Sequence, residues 1–146
     1  MKIVFSNKAL NNPGGTERVT AILSKELAER GHEVHIISFV GSDKETFFPI
    51  DSRVKIHYLA PTKDRYPFPI RDIRRIVLMR KIYKEINPDI IFLHNLHGWY
   101  INIPILFDFI RKSNIKTVWT LHDCWAFTAQ CSHFTIEKCE KWRTGC

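Results

Sequence analysis

A histidine followed directly by a carboxylate is the first candidate for chemistry in this sequence. His122 and Asp123 follow the apolar run at 117–121. A histidine beside a carboxylate suits general acid–base catalysis, or hydrogen bonding to a sugar or a phosphate. The alternative is a histidine whose ring is satisfied by a loop carbonyl, and both interpretations stay open on the residues alone.

A second polar group follows the apolar run at 89–93 and comprises His94, Asn95 and His97. Polar residues at the carboxyl end of a parallel strand line a cleft. Two histidines three residues apart could also bind a metal, but no third ligand stands at a suitable spacing. The sequence therefore predicts contact with a substrate, or a structural role, in preference to a metal site.

Two adjacent glycines, Gly14 and Gly15, separate the first apolar run from a helical segment. Without a Cβ, backbone N–H groups at a helix N-terminus can approach an anion closely, so the pair suits a phosphate cradle. The spacing matches neither the dinucleotide motif G-x-G-x-x-G nor the P-loop. A tight turn before a helix, capped by Thr16 or Gly15, is the other interpretation.

Four cysteines lie near the end of the sequence: Cys124, Cys131, Cys139 and Cys146. None forms a Cys-x-x-Cys pair, so a standard zinc ribbon is not indicated, although a zinc site that uses all four is an alternative. Aromatic residues stand among the cysteines, at Trp125, Phe127, Phe134 and Trp142. They favour a packed lid or a sugar-facing surface.

The chain carries 22 Lys and Arg against 15 Asp and Glu, a net charge of +7. Such a balance favours a polyanionic partner. Part of the charge is concentrated in one helical segment, at Arg71, Arg74, Arg75, Arg80 and Lys81. This segment is either a solvated helix face or a surface that attracts anionic lipid headgroups. No nucleic-acid-binding motif accompanies the charge, so nucleic acid is not expected as a partner.

Strands and helices that alternate along the chain must position these residues. Hydrophobic periodicity predicts strands at 2–6, 34–40, 54–59, 89–93 and 117–121. It predicts helices at 16–30, 71–86 and 102–113, the first ended by Gly31. This order predicts an α/β fold: a Rossmann-like, mostly parallel sheet with helices on both faces, followed by an irregular tail rich in cysteine and aromatic residues.

The spacing of large apolar residues also predicts which helix faces are buried. In the first helix the stripe is Val19, Ile22, Leu23 and Leu27. In the third helix the inward residues are Ile105, Leu106, Phe109 and Ile110.

Taken together, these motifs resemble family-4 (group 1) glycosyltransferases of the GT-B type. The opening MKIVFSN…NNPGGTERV, continuing to GHEVHIISF, is similar to that family's first strand, Gly-Gly loop and first helix. The segment INPDIIFLHN looks like its strand of the form PD-hydrophobic-H. The segment TVWTLHDCWAF and the Cys-rich tail resemble a subgroup that makes bacterial capsular polysaccharide, exopolysaccharide or lipopolysaccharide.

The resemblance implies a retaining, hexosyltransferase-type enzyme that uses a nucleotide-sugar donor, a lipid-linked or glycan acceptor and no cofactor. By position, His122 matches the histidine expected to touch the transferred sugar, and Asp123 completes the subgroup's His-Asp pair; both are expected to be catalytic. The residues expected to bind donor or acceptor are Gly14, Gly15, Thr16, His94, Asn95 and His97.

The resemblance also predicts the domain organisation. Residues 1–123 correspond to the N-terminal, acceptor-side domain and 124–146 to an extension, while the family's C-terminal donor-binding domain has no counterpart in these 146 residues. We therefore expect a truncated chain that is inactive by itself. With no apolar run of membrane-spanning length, we expect a protein that is cytoplasmic or peripheral on the inner face of the cytoplasmic membrane. The alternatives are an inactive remnant that binds a glycan or a partner, and a zinc-stabilised α/β domain.

Overall fold

Five strands and four helices make up the described part of the chain. The computed structural model describes residues 1–41, 46–60, 67, 70–94, 96, 102–126, 136 and 138–144. The strands are β1 (Lys2–Asn7), β2 (Glu33–Ser38), β3 (Lys55–Tyr58), β4 (Ile90–Leu93) and β5 (Lys116–Trp119). The helices are α1 (Gly15–Glu29), α2 (Ile70–Ile86), α3 (Ile103–Ser113) and the short α4 (Lys141–Thr144).

All five strands run parallel in one sheet, in the order β3-β2-β1-β4-β5. Their carboxyl ends therefore lie along one edge of the sheet. From β1 the chain passes through α1 to β2 on one side, and from β4 it passes through α3 to β5 on the other. The direction of winding thus reverses between β1 and β4, and the connections leave a crevice at the carboxyl ends of these two strands.

Side chains from the two faces of the sheet form two separate cores. One contains Val4 and Leu93 together with Met79 and Ile82 of α2 and Leu106 of α3. The other contains Ile3, Phe5, Val34 and Ile36 together with Ala28 of α1. Helices therefore cover both faces, and the predicted Rossmann-like architecture is confirmed.

The ends of α1 follow sequence signals closely. Gly31 has φ +80°, and the N–H groups of Gly31 and His32 donate to the carbonyls of Ala28 and Leu27 at 3.0 and 3.1 Å. This is a Schellman motif, which satisfies carbonyls that the helix leaves open, and it confirms the predicted helix end. At the other end the helix starts at Gly15 with Gly14 as N-cap, so neither Thr16 nor Gly15 is the cap.

The predicted inner face of α1 was wrong at two of its four residues, whereas Leu27 packs against the core and Val19 is half-buried. Ile22 and Leu23 of the predicted stripe are 52% and 36% exposed. The buried face consists of small residues and one carboxylate instead: Glu17, Thr20, Ala21, Ser24 and Ala28. Small side chains let the helix backbone approach the sheet closely, and tertiary contacts of this kind override a pattern that is read from large apolar residues alone.

One member of the predicted inner face of α3 was also wrong. Leu106 is buried and Phe109 and Ile110 pack against the core, but Ile105 is 41% exposed and Ile103 takes the inward position. The Asn102 side chain caps this helix by accepting the N–H of Ile105 at 3.1 Å. In the described part of the chain, no helix is both long enough and apolar enough to cross a membrane.

Candidate functional site

Polar side chains gather where β1, β4 and β5 end. Ser6 and Asn7 are the last residues of β1, His94 follows β4, and His122 stands three residues beyond β5. Because β4 lies between β1 and β5, these residues share the carboxyl edge of the sheet.

The two candidate histidines are in direct contact. Nδ1 of His94 lies 2.8 Å from Nε2 of His122, a hydrogen bond between the rings, whose centroids are 5.1 Å apart. His94 is 1% exposed, whereas His122 is half-buried. His94 is therefore the inner member of the pair, and His122 is the member that a ligand can reach.

His94 is held in an aromatic environment. Its ring stacks on Phe5 with a centroid separation of 5.9 Å and an interplanar angle of 11°, and Phe5 in turn stacks on Phe92 at 4.9 Å. Burial, followed by the charge of His122, lowers the pKa of His94 from 6.5 to about 4. The buried imidazole is therefore neutral near pH 7.

Two further polar contacts at the end of β1 were missed by the sequence analysis. The Asn7 side-chain amide donates to Thr20 Oγ1 at 2.9 Å, which ties the strand to α1. Ser6 Oγ lies 2.9 Å from the hydroxyl of Tyr83, whose pKa is raised to about 12 by burial. Asn7 could have been found, because a polar residue at the end of an apolar strand satisfies the same rule that pointed to His94.

The glycine pair lies at the start of α1, where a phosphate cradle was predicted. Gly14 has φ −90° and ψ 162°, an extended conformation open to any residue, so backbone freedom does not explain the glycine. A Cβ at this position would collide with the carboxylate of Glu17. Glu17 is 9% exposed and its carboxylate lies over Gly14, in the first turn of α1, where the helix dipole favours a negative charge. Gly15 has open space around it, and Thr16 is half-buried.

Asp123 takes part in the turn that follows β5. Its Oδ1 accepts the backbone N–H of Trp125 at 2.9 Å, the local bond typical of an aspartate that starts a turn. The predicted site residues Asn95 and His97 lie outside the described residues.

Of the four cysteines, Cys124 and Cys139 are half-buried thiols, and Cys131 and Cys146 lie outside the described residues. Within the described ranges, no group of three or more His, Cys, Asp or Glu side chains is arranged to hold a metal ion.

Comparison with known proteins bears directly on this arrangement. The model of Glycosyltransferase Family 4 matches residues 13–144, which takes in the glycine pair, both histidines and most of the tail. The chain belongs to this family. The resemblance noted from the motifs is thereby confirmed.

Two curated proteins are similar to parts of the chain. One is named as a colanic acid biosynthesis glycosyl transferase, WcaC, of Escherichia coli and is 36% identical over 74 residues, 47% of this chain and 18% of the relative. The other is named as an exopolysaccharide phosphotransferase of Streptomyces coelicolor and is 31% identical over 72 residues, 49% of this chain and 8% of the relative. Each match thus spans less than a fifth of the relative's length.

Proposed function

We propose that this chain is the acceptor-side domain of a retaining glycosyltransferase that moves a sugar from a nucleotide-sugar donor to a lipid-linked or glycan acceptor in cell-surface polysaccharide synthesis. Membership of glycosyltransferase family 4 supports transfer of a sugar. The names of both relatives support polysaccharide as the product class. One observation carries the proposal. In a chain of this family, His94 and His122 form a hydrogen-bonded pair beside the crevice at the ends of β1 and β4.

In this proposal His122 orients the transferred sugar. Its ring is half-buried and one nitrogen is held by His94, so the ring has a defined direction before any ligand arrives. A positioned hydrogen-bonding group of this kind lowers the barrier because it does not reorganise during the reaction.

The diphosphate of the donor is proposed to approach the first turn of α1 at Gly14 and Gly15. The carboxylate of Glu17 lies over this turn. Two anions at one helix terminus repel each other, so the Glu17 side chain has to move aside when a diphosphate arrives. The proposal therefore requires the Glu17 side chain to adopt another rotamer when the diphosphate binds.

The proposed enzyme contains a second, donor-binding domain that faces this edge of the sheet. Residues 1–123 supply the acceptor side and 124–146 an extension. Positive groups that stabilise the leaving diphosphate are proposed to come mainly from the second domain. By itself the chain is therefore expected to bind ligands weakly and to transfer no sugar.

The experiment joins this chain to the C-terminal half of the Escherichia coli relative and supplies radiolabelled nucleotide sugars with lipid extracts as acceptor. We expect label in the lipid fraction with the joined protein, none with the chain alone, and retention of the anomeric configuration in the product. His122→Ala should lower the transfer rate about 100-fold, as loss of one preorganised hydrogen-bonding group does. His57→Ala, in a second histidine pair on the edge strand β3, which β2 and β1 separate from β4, is the matched control and should retain the rate.

Three results would count against the proposal. Full activity of His122→Ala would remove the role of that residue. Inverted configuration in the product would refute the retaining mechanism. Binding of an acceptor glycan without transfer from any donor would favour a non-catalytic binding module instead.

The basic helix α2 is proposed to hold the enzyme on an anionic membrane. Ile70, Ile73 and Val77 share one helix face at i, i+3 and i+7 and are 50%, 58% and 61% exposed. Arg74, Arg80 and Lys81 are exposed on the same helix, whereas Arg75 is half-buried and the Arg71 side chain lies outside the described residues. Apolar residues bordered by cations are the pattern of a helix that lies in a lipid headgroup region.

Sedimentation with vesicles tests this attachment. We expect the protein to bind vesicles that contain anionic lipid and not to bind neutral vesicles. The double variant Ile73→Ser/Val77→Ser should bind the anionic vesicles more weakly. Each cation near the surface contributes about 1 kcal/mol, so Arg80→Gln should weaken binding about fivefold. Equal binding to neutral and anionic vesicles would contradict the attachment.

A further inference from the structure

We propose that His94 is a positioning residue that sets the tautomer of His122, so that His122 presents an Nδ1–H donor toward the crevice. The placement of a sugar oxygen at that donor rests on the proposed function, but the tautomer itself does not.

The two ring nitrogens of His94 differ in their hydrogen bonding. Nδ1 is engaged with His122 at 2.8 Å. Nε2 is fully buried and has no hydrogen-bond partner among the described residues. Because the atom is buried, a ligand in the crevice cannot reach it either.

A neutral imidazole carries one proton, so His94 has two possible forms. With the proton on Nε2, a buried N–H would point into an aromatic environment without an acceptor. With the proton on Nδ1, that N–H donates to His122, and only a lone pair is left without a partner. Buried N–H groups without a partner are rarer than acceptors that lack one, so the second form is favoured.

Burial also disfavours the charged form of His94. The ring is 1% exposed and stacks on Phe5. Its pKa of about 4 leaves it neutral at pH 7. Near pH 7, His94 is thus neutral and carries its proton on Nδ1.

The form of His94 determines that of His122. If His94 donates, Nε2 of His122 is the acceptor and carries no proton, so neutral His122 has its proton on Nδ1. The described residues contribute no hydrogen-bond partner to this Nδ1, and the ring is half-buried at the edge of the sheet.

This assignment chooses between two roles for His122. A nitrogen that already carries a proton donates a hydrogen bond and cannot act as a general base. His122 in its neutral form therefore binds an oxygen, such as a sugar hydroxyl or a phosphate oxygen, and does not abstract a proton from the acceptor.

Nuclear magnetic resonance of the whole chain with ¹⁵N-labelled histidine tests the inference without any substrate. At pH 7 we expect His122 and His94 both to show a protonated Nδ1 and an unprotonated Nε2. For His122 this is the tautomer that free histidine side chains disfavour, so the signal is distinctive. A protonated Nε2 on His122 would overturn the proposal.

Three variants separate positioning from simple packing. His94→Phe keeps an aromatic ring against Phe5 but removes the donor, so His122 should revert to the Nε2–H form. His94→Asn places an amide nitrogen near the former Nδ1 and should retain the Nδ1–H form. His35→Phe, in the other histidine pair, is the matched control and should leave the signals of His122 unchanged.

Persistence of the Nδ1–H form in His94→Phe would contradict the proposal. Circular dichroism establishes whether each variant is folded, and if His94→Phe is not, the spectrum of the unsubstituted chain decides. Since no sugar transfer is measured, failure here is distinct from failure of the proposed function.

Discussion

Two histidine pairs bridge neighbouring strands of this sheet, and they differ in what surrounds them. His35 Nδ1 and His57 Nε2 lie 2.9 Å apart between β2 and β3, a distance close to the 2.8 Å of His94 and His122. The second nitrogen of His35, however, contacts Glu33 at 3.2 Å, and Glu33 pairs with Lys55 at 3.0 Å. The corresponding nitrogen of His94 has no partner among the described residues.

This difference in surroundings distinguishes a structural histidine pair from a candidate functional site. The pair of His35 and His57 lies within β2 and the edge strand β3 and completes a chain of contacts within the protein. The pair of His94 and His122 lies beyond the ends of β4 and β5, at the carboxyl edge, where the outer ring is half-buried. The same residue types at the same separation thus acquire different roles from their position in a parallel sheet.

The largest expected effect is acid destabilisation centred on His94. Its pKa in the folded protein, about 4, lies below the ordinary 6.5, so the unfolded chain binds more protons between these values. Stability is therefore full above pH 6.5 and is lost as the pH falls toward 4, by up to about 3 kcal/mol at about 1.4 kcal/mol per pH unit. Urea unfolding at a series of pH values measures this loss.

His94→Phe should flatten that profile much more than His35→Phe does, although burial also lowers the pKa values of His35 and His57. Glu33 partly offsets the effect of burial on His35. Equal flattening by the two variants would show that the pairs do not differ as described.

A smaller effect is expected for a glycine at the amino edge. Gly31 adopts φ +80°, and a Cβ there meets no atom within 4 Å, so Gly31→Ala suffers backbone strain only. Strain of that kind costs about 1–2 kcal/mol. If the midpoint of thermal unfolding does not fall in Gly31→Ala, the turn accommodates the Cβ without backbone strain.

Glu33→Gln is expected to have a still smaller effect. Its ion pair with Lys55 is exposed, and exposed pairs contribute little to stability because water and salt screen them. The change should lower the unfolding midpoint slightly and leave sugar transfer by the joined protein unaltered. A large loss of transfer would place this pair in the functional site.

The smallest expected effect is that of Gly14→Ala at the carboxyl edge. The backbone accepts alanine, and the new methyl group displaces only the end of the Glu17 side chain, so the cost should stay within about 0.5 kcal/mol. A double-mutant cycle with Glu17→Ala measures the coupling directly. In the Glu17→Ala background the cost of Gly14→Ala should decrease, and an unchanged cost would argue against the close approach.

Much of the fold but only part of the candidate site could be predicted from the sequence. Every strand and the three longer helices were predicted within a few residues, because periodicity and helix ends such as Gly31 are local signals. The buried faces were less accurate, since Ile22, Leu23 and Ile105 have the spacing of inward residues but are exposed. The hydrogen bond of Asn7 with Thr20 and that of Ser6 with Tyr83 were not foreseen.

The alternation of strands and helices follows from the amino-acid sequence, and it implies a parallel sheet whose strand ends carry His94, His122 and the glycine pair. The folded molecule places β4 between β1 and β5, which brings the two histidine nitrogens to 2.8 Å and stacks the His94 ring on Phe5. Secondary structure depends on neighbours along the chain, whereas strand order, burial and proton placement depend on residues that are distant in sequence and meet only after folding.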